Sequence, residues 1–333
     1  MIYLDGIIVD KDIKKAMEYL EKAAEKGNSR AYFNMGTIYF EANGVERDIN
    51  KAIEYFEKAS SFGLPEAILN IGLLYYNGDH VEKDYKKAFP YLQQAANNGN
   101  EKASFLVGSM LYNGLGTAKD IKKSIFYLES AAGKGDNLSL YYLGLLYYYG
   151  DNVKRDIQKS IDCFEKSAES GNKDSLHMLG LIHLDGENVV QDIPKAISYL
   201  ESSSRLENPL SLYKLGNIYL EGKFVEKDLN KSLSFFEKAS HLGNLDSIRL
   251  LASLYYNGKD VGRDLKKSLE YFEIGADLGD PHSLYYSGML YLNSIGVEQK
   301  AEKAVRYWEI AAEKGHKEAS ENLLKLKNSL FKN

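Results

Sequence analysis

The chain has 333 residues, 44% of them hydrophobic and 27% charged, with a formal net charge of −5. Its charges are finely mixed, so it lacks both the basic stripe of a nucleic-acid binder and the one-signed, apolar-poor composition of a disordered chain. The single cysteine, Cys163, excludes an internal disulfide framework and fits a reducing compartment, here the cytoplasm.

The opening stretch, MIYLDGIIVDKDIKK, reaches acidic residues early and has no basic region ahead of an apolar core, unlike a secretory leader. Nowhere does the chain approach the roughly 18 apolar residues of a membrane span, so no membrane insertion is expected. Tyr3 and Gly6 align with the end of a helix whose beginning is absent. The expectation is a missing upstream segment and an uncapped apolar face at the N-terminal repeat, open to self-association.

From Asp12 onward the sequence repeats itself. Asp12, Asp48, Asp84, Asp120, Asp156, Asp192, Asp228 and Asp264 are each 36 residues apart. A lysine column runs from Lys15 through Lys51 and Lys87 to Lys303, and glycine ladders run through Gly27, Gly63 and Gly99 and through Gly36, Gly72 and Gly108. A partial repeat, 1–27, is followed by full repeats at 28–63, 64–99, 100–135, 136–171, 172–207, 208–243, 244–279 and 280–315. The stretch 316–333 reads as a capping helix, which makes 1–333 one repeat domain.

Within a period, Ala31, Met35, Ile38 and Tyr39 follow helical spacing, as do Ala52, Tyr55, Phe56 and Ala59. Ala42, Asn43 and Gly44 break the pattern between them. Each repeat is therefore a helix A, a short loop, a helix B and a turn. The aspartate column heads helix B, where a carboxylate accepts N–H groups of the first turn. The glycine closing each period suits a left-handed helix stop. The glycine inside helix A costs about 1 kcal/mol in helix propensity, so it implies a close neighbour. Ala252, Glu207 and Lys300 depart from these columns, and Leu324 falls on the mid-A glycine register.

The pattern A-x-x-x-[LM]-G-x-x-Y, then G-V-x-x-D-x-x-K-A-x-x-Y-x-x-K-A, then G, resembles the Sel-one-like repeat family, relatives of the tetratricopeptide repeats with their unit of about 34 residues. The resemblance spans essentially the whole chain. It implies an all-α fold, a right-handed superhelical α-solenoid of about nine helix-turn-helix repeats. For function it implies adaptor, scaffold or regulatory roles, with a protein or peptide as partner.

Enzyme-like constellations are sparse. His177 and His183 share a helix but lie six apart, on different faces, and so do not chelate a metal together. Ser211-Leu-Tyr-Lys214 and Ser170-Gly-Asn-Lys173 have Ser-x-x-Lys spacing, yet Ser211 belongs to a small packed column and Ser170 adjoins a helix-ending glycine. Some relatives of this repeat class carry a cysteine pair per unit and have been described as β-lactamase-like; those cysteines are absent here. Cys163 and His183 stand in tyrosine columns and read as core. No phosphate-binding glycine loop occurs, and no cofactor or metal is expected.

By analogy with the tetratricopeptide repeats, positions two before and two, five and six after the Met or Leu of helix A line the concave face. In the first half of the chain these include Phe33, Phe40, Tyr76, Asn77, Phe105 and Tyr112, then Asn113, Tyr141, Tyr148 and Tyr149. In the second half they include His177, Tyr213, Arg249, Tyr256, Asn257, Tyr285 and Asn293. Aromatic rings interleaved with amides suit a groove that holds a peptide. The alternative is that these rings pack against the next repeat. The reading is a non-enzymatic interaction scaffold; the rivals are a hydrolase or β-lactamase-like enzyme with an unrecognised site, and a self-assembling architectural protein. One register earlier on helix A, Tyr39, Tyr75 and Tyr147 are assigned to the core.

Overall fold

A computed structural model describes residues 12–150, 153–186, 189–293 and 301–330, without the side chains of 293 and 327–330. The described residues form eighteen α-helices and no strand. The chain separates into two compact units, Met1–Ser170 and Gly171–Asn333.

In the first unit, α1 (Ile13–Glu25) precedes four antiparallel pairs. These are α2 (Ser29–Glu41) with α3 (Ile49–Ser61), α4 (Pro65–Asn77) with α5 (Tyr85–Asn97), α6 (Glu101–Asn113) with α7 (Ile121–Ala132), and α8 (Asn137–Tyr149) with α9 (Ile157–Glu169). The second unit pairs α10 (Lys173–Asp185) with α11 (Ile193–Arg205), α12 (Pro209–Glu221) with α13 (Leu229–His241), α14 (Leu245–Asn257) with α15 (Leu265–Asp277), and α16 (Pro281–Asn293) with α17 (Ala301–Glu313), before α18 (Lys317–Leu330). Even-numbered helices are the A helices and odd-numbered ones the B helices; within each unit the pairs stack as a solenoid of helical repeats.

Seven of the loops from helix A to helix B are tied at both ends by the same aspartate. The Asp84 carboxylate accepts the Lys87 N–H at 3.0 Å and caps α5, while the Asp84 N–H donates to the Tyr75 carbonyl of α4 at 2.9 Å. Asp12, Asp48, Asp120, Asp156, Asp192, Asp228 and Asp264 cap their B helices in the same way. At the far end of helix B the chain turns through a left-handed residue, such as Gly63 at φ 79°. Glu207 holds that conformation at φ 56° with a side chain that disfavours it.

The glycine inside helix A marks the contact between A and B of one repeat. A Cβ on Gly180 would stand 2.6 Å from Leu200 Cγ, and one on Gly144 would stand 2.5 Å from Phe164 Cε1. Both partners are fully buried. Four B helices also donate a serine hydroxyl to the carbonyl at this crossing: Ser124 to Gly108, Ser160 to Gly144, Ser232 to Gly216 and Ser268 to Ala252, at 2.7–2.8 Å. Ala252 is tolerated in this register, packed in one cluster with Phe272. The small column of helix A faces the preceding repeat: Ser211 Oγ lies 2.8 Å from Ser203 Oγ of α11. The last helix, α18, buries Ala319, while Leu324 is 61% exposed where full repeats bury a glycine.

Gly180→Leu overpacks this crossing and is expected to cost roughly 1–3 kcal/mol, with Gly180→Ala milder; thermal denaturation of the two variants reads the difference. Glu207→Gly relieves the left-handed turn and is expected to stabilise by about 0.5–1 kcal/mol net of glycine's added chain entropy, seen as a raised melting temperature.

Candidate functional site: the face of the A helices

Neighbouring residues on a helix point about 100° apart, and the two aromatic registers of helix A diverge accordingly. The earlier register faces helix B. Tyr147, Tyr255, Tyr291 and His183 are buried there, whereas Tyr39 and Tyr75 are half-buried. Tyr39 stacks on Tyr55 at 5.8 Å, Tyr255 on Tyr271 at 6.1 Å, and His183 on Tyr199 at 5.8 Å. The lysine column covers the open edge of these stacks. Lys159 Nζ sits 4.1 Å from the Tyr147 ring centre and donates to its hydroxyl at 2.6 Å, and Lys51 lies 5.1 Å from the Tyr39 ring. Burial, with the charge of Glu237 behind it, pushes the Tyr271 hydroxyl up to about 12, so it stays protonated and neutral. Cys163 takes the Tyr199 place in its own repeat; it is half-buried, and burial raises its thiol pKa.

The later register and its companions turn to the other side. Phe33, Phe40, Tyr76, Phe105, Tyr112, Tyr141, Tyr148, Tyr213, Tyr256 and Tyr285 are all half-buried, and Tyr149 is 62% exposed. Phe33 leans on Phe56, Tyr141 on Phe164, Tyr213 on Phe236 and Tyr285 on Trp308, each the large residue of the paired helix B. Tyr112 meets Tyr142 of the next A helix at 5.7 Å, and Tyr256 meets Tyr286 at 6.0 Å. Loop cations flank the same rings: Lys119 is 5.5 Å from the Tyr112 centre and Arg155 5.6 Å from that of Tyr148. Asn77, Asn113 and Asn257 are exposed at the ends of their helices. Asn113 donates to the Ser109 carbonyl and Asn77 to Asp79. The side chain of Asn293 lies outside the described residues, as do Tyr3, Gly6 and Lys300.

Two residues of this face are drawn into contacts between repeats. The Arg249 guanidinium clasps Asp280 of the next repeat through Nε and Nη2. Burial pulls the Asp280 pKa up, but hydrogen bonds from Arg249 and Ser283 outweigh it and hold the carboxyl at about 2. His177 Nδ1 lies 2.8 Å from Ser211 Oγ. Ser211 gives its own proton to Ser203 at 2.8 Å, and Ser203 donates onward to the Lys173 carbonyl at 2.7 Å. His177 therefore carries its proton on Nδ1 and donates it to Ser211. Burial lowers its pKa to about 4.

Phe40 and Asn77 come together on one cavity of about 240 Å³ between α2 and α4. Its lining includes Glu41 and Asn70, which the aromatic-and-amide pattern passed over. The signal lay in the column: the register that holds Asn70 holds Tyr142 and Tyr286 in later repeats.

The Sel1 repeat family matches residues 1–28, 29–61, 65–100, 102–136, 137–172, 173–208, 209–244, 245–280 and 281–316. The chain belongs to the Sel1 repeat family. A solved Sel1 repeat protein from Oxalobacter formigenes is 28% identical at a TM-score of 0.77, over 93% of this chain and 90% of that one. A protective antigen of uropathogenic Escherichia coli strains, displaying an SLR fold, is 29% identical at a TM-score of 0.66, over 97% of this chain and 69% of that one. A search of curated proteins returns no match. Sel1 repeat proteins are generally protein-interaction scaffolds, and the family is typically non-enzymatic. No helix among the described residues is long and apolar enough to cross a membrane.

His177 stands where neighbouring Sel1 repeats carry Tyr141 and Tyr213. Its folded pKa of about 4 lies below the ordinary 6.5, so the unfolded chain takes up the proton first. The stability it contributes is complete above about 6.5 and is lost as pH falls toward 4. His177→Tyr is expected to remove about 2–3 kcal/mol of pH dependence across that window, read as a flatter plot of melting temperature against pH.

Proposed function

We propose that the chain is a non-enzymatic scaffold that holds an extended protein segment along the face of its A helices. The observation that carries this reading is the later aromatic register. Tyr112, Tyr148 and their neighbours keep part of each ring open beside exposed asparagines, whereas Tyr147, one residue away, is buried. Rings already braced by Tyr142, Lys119 and Arg155 lose little freedom when a partner covers them, and exposed amides supply backbone hydrogen bonds. The generally scaffolding character of Sel1 repeat proteins supports the same reading.

The Ser-x-x-Lys spacing at Ser211 favours no enzymatic reading. The Ser211 hydroxyl is fully buried, its proton is held by Ser203, and His177 faces it as a donor rather than a base. Arg249 contributes to stacking of repeats, and binding is assigned to the aromatic and amide positions around it.

The test uses peptides selected on the full chain from a random-peptide phage library, then synthesised. Tyr112→Ala with Tyr148→Ala is expected to weaken their binding by about 2 kcal/mol, some 30-fold, at a modest cost in melting temperature. Tyr147→Ala is expected to lower the melting temperature by opening a cavity worth about 3 kcal/mol and to leave affinity intact. Equal destabilisation by both sets, with binding unchanged, overturns the proposal.

A further inference from the structure

The cavity between α2 and α4 exists because one residue is short. Six repeats further on, Tyr286 fills the equivalent space, 6.0 Å from the Tyr256 ring and 5.0 Å from the Phe272 ring. Tyr256, Phe272 and Tyr286 correspond by register to Phe40, Phe56 and Asn70. Tyr142 does the same between Phe105 and Tyr112, at 5.8 and 5.7 Å. With asparagine in that place, about 240 Å³ stays open. That volume is below the roughly 300–1,000 Å³ of a small-molecule site and matches a single long side chain.

The lining states what kind of side chain. Phe40, Phe56 and Leu73 supply apolar walls, and the carboxylates of Glu41 and Asp79 are exposed on the same cavity. Glu41 has no hydrogen-bond or ion-pair partner among the described residues, and the half-buried Asn70 amide has none for its side chain. Asp79 accepts one bond, from Asn77 at 3.0 Å, which leaves further lone pairs. The loop cation Arg47 is turned to the His80 ring at 3.2 Å and answers neither carboxylate. The site therefore combines an apolar channel, two aromatic rings and two carboxylates that no cation among the described residues pairs with.

We infer that this cavity is a specificity pocket for one basic side chain, lysine or arginine, of the protein segment bound along the A-helix face. The inference rests on the reading proposed above and adds the chemistry of one guest position. The aliphatic stem lies on Phe40 and Leu73, and the cationic head reaches Glu41, Asp79 and the Asn70 carbonyl oxygen.

The test selects a random-peptide phage library on the full chain and on two variants. Asn70→Tyr plugs the cavity with the residue that the chain itself uses at Tyr142 and Tyr286, so its melting temperature should stay near that of the parent. Glu41→Gln with Asp79→Asn removes the charge and keeps the shape. Peptides enriched on the parent should share a lysine or arginine at one fixed position and lose that preference on both variants. In a synthesised peptide, replacing that residue by norleucine should weaken binding at least about tenfold to the parent and hardly at all to Asn70→Tyr. Raised salt should narrow the gap. A selected motif without a fixed basic position, or one that survives Asn70→Tyr, overturns the pocket while leaving the groove standing. Retention of all selected peptides by the Tyr112→Ala, Tyr148→Ala variant overturns the groove reading and the pocket with it. No enrichment over bare support overturns both.

Discussion

The crossing of helix A over helix B at a residue without a side chain sets the rest of the structure. Gly36, Gly108 and Gly144 leave no room even for a methyl beside Phe56, Leu128 and Phe164. The two helices therefore meet backbone to ring, close enough for Ser124 and Ser160 to reach the opposing carbonyl. Glycine inside a helix costs about 1 kcal/mol; burying a whole leucine or phenylalanine at that point contributes about 1.5–3 kcal/mol, so the exchange favours the tight crossing. The rotation of helix A follows from it. Once the glycine faces helix B, the small column Ser211 and Ser139 must face the preceding repeat, and the later tyrosines must face away from the pair.

The fold was legible because each column does one physical job in nearly all the repeats that keep it. Aspartate at Asp48 or Asp228 is a cap, glycine at Gly63 is a stop, and glycine at Gly180 is a contact, and each recurs at 36-residue spacing. What the spacing alone did not reveal was the partner of the lysine column, since a lysine at the third position of a helix reads as a solvated charge. Only the fold brings Lys159 onto the Tyr147 ring and Lys231 onto Tyr219, from a different helix. The division between core and face was likewise only partly readable. Tyr147 is buried beneath Lys159, 4.1 Å from its ring centre, whereas Tyr39 and Tyr75 in the same register are half-buried, with their lysines 5.1 and 5.3 Å away.

The face of the A helices shows where reading by residue type reaches its end. Arginine and histidine in a groove register suggest polar contacts to a partner. Here Arg249 is held by a buried aspartate and His177 by a buried serine of the following repeat. Both are drawn into repeat stacking, and a linear sequence cannot say so, because the partners stand 31 and 34 residues away, Asp280 in a column that mostly holds asparagine and Ser211 in the small column of serine and alanine. Glu41 is the converse case. An exposed glutamate at a helix end is ordinary until the neighbouring A helix places an apolar cavity beside it.

A chain whose columns recur so regularly has little freedom to vary in them, since each cap and crossing holds its own helix pair and each pair stacks on its neighbours. Recognition of a particular partner must then come from positions where the repeats differ while the backbone stays the same. Asn70 is such a position: a substitution from the chain's own repertoire, asparagine for tyrosine, opens space without moving a helix, and the adjacent Glu41 and Asp79 give that space a sign. Leu106, Met178 and Leu250 occupy the same register as Asn70 in other repeats with apolar side chains of intermediate length. The depth of the pocket between successive A helices is thus written by one residue per repeat, on a scaffold that the glycine crossing holds constant.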